Sequence, residues 1–195
     1  MQLLLLAVGP ALLFTVPAAE DLVIPSSLDT LLGTWYILRW VGTIPIPRQK
    51  RREPLPPFSF VQNYNGKLEF RMYIRKPSGC HLFKLPFTEE ADPGSFLTWW
   101  RHLIHIWLLT PRTYGVAFFS DKINNQWITM VMLFGRTLDD HPMALELFES
   151  LLEEKGLNTR EIVVPPHVGE EGRVLRPLFP PHFLHRAVLW AFLLL

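Results

Sequence analysis

The residues that could carry nucleophilic or metal chemistry are few: one cysteine and seven histidines in a chain of 195 residues. Cys80 and His81 are neighbours, and on a strand neighbours point to opposite faces. A thiolate needs its base within hydrogen-bond reach, which that geometry denies. His102 and His105 lie three apart, so on a strand they also face opposite ways and share no ion unless the segment bulges. His182 and His185 fall on one face of a helix, but no third ligand stands at a suitable spacing. No metal and no cofactor is therefore implied. Arg48-Gln49-Lys50-Arg51-Arg52, inside the proline-rich stretch from Pro45 to Pro57, is the one charge cluster. It reads as a solvated loop, as an attractor for an anionic head group, or as a multibasic cleavage site.

The elements around these residues are strands. Lys67 to Arg75 alternates strictly, with Leu68, Phe70, Met72 and Ile74 on one face and Lys67, Glu69, Arg71 and Arg75 on the other. The Asn65-Gly66 turn before it and Phe58–Val61 upstream predict a hairpin. Further strands are predicted over 33–41, 80–87, 95–100, 102–109, 114–120, 127–134 and 161–164, separated by short turns such as Lys76-Pro77-Ser78-Gly79 and 121–125. One helix is expected late in the chain. Asp139 or Asp140 would cap it, Pro142 suits its first turn, Leu145, Phe148, Leu151 and Leu152 recur at helical spacing, and Lys155-Gly156 ends it. Short strands with no helices between them imply an antiparallel sandwich or barrel.

Composition agrees with one such domain. Hydrophobic residues make up 49% of the chain, and 19 Lys+Arg against 18 Asp+Glu leave no general footprint for nucleic acid. The apolar run from Met1 to Val16, followed by Val16-Pro17-Ala18, reads as a secretory signal peptide over residues 1–18. The barrel domain would then occupy residues 19–165, and residues 166–195 form an atypical tail. Its apolar end, Ala187–Leu195, rises about 13 Å as a helix against a hydrocarbon core of about 30 Å, so no membrane span is expected. A lone cysteine forms no disulfide within the chain, which leaves a free thiol or a dimer through Cys80.

Three patterns in this order resemble the lipocalin family: Gly33-Thr34-Trp35-Tyr36 at the first strand, Leu133-Phe134-Gly135-Arg136-Thr137 at the eighth, and the helix and short ninth strand within Asp139–Val164. The resemblance implies an all-β, eight-stranded up-and-down barrel with one C-terminal helix. Gly33, Trp35 and Arg136 would form its structural motif, with Trp35 plugging the closed end and Arg136 across its indole as a cation–π contact. The family's middle motif departs here, since Thr110-Pro111-Arg112-Thr113-Tyr114 lacks the usual aspartate. So does its usual disulfide, for nothing after residue 165 pairs with Cys80.

The resemblance implies extracellular binding and transport of a small hydrophobic ligand, such as a retinoid, fatty acid, steroid or odorant. Barrels of this size hold one small ligand. Phe70, Met72, Phe83, Phe87, Val116 and Phe118 are the expected inner lining, binding through burial at about 25 cal/mol per Å² of apolar surface. The same residues could instead pack on one another, leaving a filled barrel that recognises a protein partner. An enzymatic branch of the family uses a cysteine inside the second strand; Phe58–Gln62 has none, so no enzyme is expected. The stretch from Leu133 to Val164 looks most like epididymal and odorant-binding members.

Overall fold

Asn63 organises one turn of the sheet: its Oδ1 accepts from Asn65 N (2.9 Å) and Lys67 N (3.0 Å), and Gly66 takes φ +77°. The turn joins β3 (Phe58–Gln62) to β4 (Leu68–Lys76) as an antiparallel hairpin. The computed structural model describes residues 22–44, 50–52, 54–76, 78–99, 101–109, 112–123 and 125–166. The expected signal peptide, nearly all of the tail, and Pro45 to Gln49 lie outside them.

The other strands are β1 (Leu22–Val23), β2 (Gly33–Gly42), β5 (Gly79–Glu89), β6 (Ser95–Thr98), β7 (Leu103–Leu109), β8 (Tyr114–Ile123) and β9 (Gln126–Gly135). Their order is β1-β7-β6-β5-β4-β3-β2-β9-β8, and pairing of β7 with β8 closes β2 to β9 into an eight-stranded antiparallel barrel. Strand β1 is an addition: β6 pairs only Leu103–His105 of β7, and β1 pairs Leu108 and Leu109.

Helix α1 (Pro142–Glu154) packs outside, with Ala144, Phe148, Leu151 and Leu152 buried in one layer with Val116, Val131 and Leu133. The wall under α1 is thus buried on both faces. Leu38 follows inner-facing Ile37 into the helix layer, and a bulge between Ile37 and Arg39 keeps Arg39 on that outer side, after which Trp40 takes the inner face opposite Met132.

Two ends of elements differ from the sequence reading. The helix is capped by His141 with no side-chain hydrogen bond, because Asp140 instead pairs with Arg39 (2.6 Å) and the Asp139 carbonyl accepts from Tyr114 (3.1 Å). The expected strand at 161–164 is a 3-10 turn (Thr159–Glu161) followed by a single antiparallel bridge from Val163 to Trp40.

Candidate functional site

At one end the barrel is sealed. Trp35 is fully buried, donates its indole N–H to the Leu31 carbonyl (2.6 Å), and stands edge-on to Phe134 at 4.9 Å. The Arg136 guanidinium lies 3.5 Å from the Trp35 ring centroid. Its fork donates to the carbonyls of Thr34 (3.0 Å), Thr30 (3.2 Å) and Leu32 (2.8 Å), fastening the 3-10 turn Leu28–Thr30 across the base. Burial lowers the Arg136 pKa, yet a guanidinium stays charged in proteins, so the contact remains ionic. Gly33 is required twice over. It adopts φ +100°, and a Cβ there would stand 3.0 Å from Arg136 Nη1.

Above this base the inner wall is apolar. Phe70, Met72 and Phe87 are buried in it and Phe83 packs against it half-buried. Phe58 stacks on Phe70 at 5.0 Å, and Gly115 leaves space for the Phe134 ring, which a Cβ would meet at 2.5 Å. Val116 and Phe118 are not on this wall, which corrects the lining expected from the sequence. Both face the helix layer, Val116 opposite Leu133 and Phe118 opposite Val131, while Ala117 and Phe119 take the inner positions of β8. The buried Trp40 Nε1, on an inner-facing residue, has no acceptor among the described residues.

Polar groups return at the opposite rim. Asp121 pairs across with the inner-facing Ile128, and Thr98 with the inner-facing Phe87. His102 binds the Asp121 carboxylate through Nδ1, and its ring stands edge-on to Phe119 at 5.6 Å. Its backbone N–H donates to Thr98 Oγ1 (3.1 Å). The sequence reading missed this pair because it ended β8 at Ser120; continuing the alternation Ala117, Phe119, Asp121 inward was the available signal.

The other reactive groups lie elsewhere. His105 faces outward, 2.7 Å from Ser95 Oγ, which donates to Asp92 (2.9 Å). The serine proton thus points to the carboxylate, leaving His105 as the donor to Ser95, so this chain of groups clamps β6 to β7 and activates no nucleophile. Cys80 is exposed on the outer side of β5 opposite Arg75, while His81 sits opposite Ile74 and bonds Ser78 (2.7 Å). Of the basic cluster, Arg51 is ion-paired with Glu161. Among the described residues no group of three or more His, Cys, Asp or Glu is placed to hold a metal, and no helix is long and apolar enough to cross a membrane.

This architecture has relatives. The chain is 27% identical to Lipocalin-1 of Sus scrofa over 85% of its own length and 93% of that protein's. It is 25% identical to vomeronasal secretory protein 2 of Mus musculus, over 84% and 89% of the two chains. It is 26% identical to late lactation protein A of Notamacropus eugenii, over 85% and 94%. Among solved structures, the siderocalin Ex-FABP superposes with a TM-score of 0.58 at 18% identity, covering 76% of this chain and 99% of that one, a likeness of fold. The family model "Lipocalin / cytosolic fatty-acid binding protein family" matches residues 32–169. With a closed eight-stranded barrel, an outer helix and a Trp35–Arg136 base already in place, the chain belongs to the lipocalin and cytosolic fatty-acid binding protein family.

Proposed function

We propose that this chain is a secreted carrier that takes one small lipophilic molecule into its barrel and moves it through an extracellular fluid. The observation that carries this is the one-sided construction: an apolar inner wall sealed at one end by Trp35 and Arg136, with polar groups gathered at the other. Apolar ligands bind such walls by leaving water, at about 25 cal/mol per Å² buried. Phe70, Met72, Phe83 and Phe87 are the proposed lining, now joined by Phe119. Secretion is proposed from the signal peptide expected at residues 1–18 and from relatives such as vomeronasal secretory protein 2. A reproductive or glandular fluid, such as that of the epididymis, is the proposed setting. The reading assigns no catalytic step, since the single thiol is outside the barrel and away from a base.

Titration with N-phenyl-1-naphthylamine tests it: saturable 1:1 uptake is expected, with displacement by retinol or a fatty acid. The absence of any uptake favours the second reading, a filled barrel acting as a protein-interaction module. What speaks for that reading is the mutual contact of Phe58, Phe60, Phe70 and Phe134, with centroids 5.0 to 6.4 Å apart. A dimer bridged through Cys80 is a separate proposal, read as a reducible band on a non-reducing gel.

A further inference from the structure

We infer that the His102–Asp121 pair selects the ligand's polar end, and that the group selected is a hydroxyl. The inference rests on the carrier reading above and adds a head-group preference to it. Three facts of geometry support it. First, the pair stands on the inner side of the wall, where Asp121 shares a face with Ile128 and Phe119, and where buried Thr98 anchors the backbone of His102. Second, both carboxylate oxygens are engaged: Oδ2 by His102 Nδ1, and Oδ1 by the Lys122 backbone N–H (2.6 Å). A carboxylate accepts only, so the imidazole must present its proton at Nδ1. Third, Nε2 has no partner among the described residues, and in the neutral ring with its proton on Nδ1 it is an acceptor.

An acceptor backed by a fixed negative charge is matched by a donor, and beside an apolar wall a neutral donor avoids the cost of taking a charged one out of water. A ligand O–H meets both conditions. A ligand carboxylate offers no proton and meets Asp121 as a like charge, and an ether offers no proton either. The basic segment makes the opposite demand on paper, but Arg51 already spends its charge on Glu161. The ligand class is therefore a long-chain or ring alcohol whose apolar body lies against Phe119 and the deeper wall, with its oxygen at the rim.

The test displaces N-phenyl-1-naphthylamine from the full-length secreted protein with three matched compounds: 1-dodecanol, dodecyl methyl ether and lauric acid. Affinities are read as ratios within each protein, so that a general loss of binding cancels. Wild type should favour the alcohol over the ether by about tenfold, the strength of one hydrogen bond in a half-buried site. His102→Leu should bring that ratio to about one. Asp121→Asn retains an acceptor for Nδ1 but removes the charge, so the acid should gain on the alcohol by several-fold. Should His102→Leu fail to fold, Asp121→Asn carries the test alone. Equal binding of alcohol and ether in wild type, or a ratio that survives His102→Leu, overturns the head-group assignment and leaves the carrier reading standing. A wild-type preference for the acid overturns it in favour of the basic segment. A barrel that takes up neither probe nor competitor overturns both.

Discussion

Replacing Trp35 with alanine removes the largest side chain of the sealed end and deprives Arg136 of its ring. Large-to-small changes at such sites cost about 3–5 kcal/mol. Normal secretion with a melting temperature within a degree of wild type would contradict the assignment of a sealed base. Cys80 offers the opposite contrast. Its thiol is exposed and lies outside the barrel, so it should label with one equivalent of iodoacetamide in the native monomer, and a Cys80-bridged dimer should label only after reduction. Cys80→Ser should leave melting and probe uptake as they are; loss of uptake with the fold intact would require a covalent ligand or a catalytic thiol.

Strand β8 decides what the sequence could reveal about the site. Tyr114, Val116 and Phe118 alternate with Gly115, Ala117 and Phe119, and periodicity says only that the two sets face apart. The bulkier set reads as the interior, but α1 covers the outside here, so both faces are buried and the bulkier set packs under the helix. Strands β4 and β5 have water on one side, which made Phe70, Met72 and Phe87 legible as inward. Asp121 escaped notice for a related reason, since an inward carboxylate looks like the start of a turn. The consequence is testable: Phe119→Ala should alter probe uptake, whereas Phe118→Ser should not. Phe148→Ala, on the helix that covers β8, should cost about 3–5 kcal/mol, a drop of roughly 6–20 °C in melting temperature, without changing which competitors displace the probe. An unchanged melting temperature would mean that α1 is not part of the cooperative unit.

Across the described residues, two ionic contacts tie late segments to early ones. Arg39 of β2 binds Asp140 beside the helix, and Arg51 binds Glu161 in the turn that leads to the Val163 bridge. Both pairs are partly exposed, and contacts of this kind are worth about 0–1 kcal/mol each. Glu161→Gln should therefore shift the melting temperature by no more than about 4 °C. A larger loss would show that the segment around Arg51 is held as part of the core and not as a loop above it.

The Arg136 fastener also bears on the order in which the chain assembles. Its three acceptors, Thr30, Leu32 and Thr34, are more than 100 residues earlier in the chain, and β2 finds its β9 partner across the same span. Contacts of such long sequence separation close large loops before they repay the entropy, which places barrels among slow folders. A chain emerging from the ribosome can form the β3–β4 and β4–β5 hairpins as they appear, yet it cannot seal its base until β9 and Arg136 have arrived. The last-made contact then governs lifetime more than rate of birth. Arg136→Met should speed unfolding several-fold while changing refolding little, as measured by the two arms of a denaturant chevron.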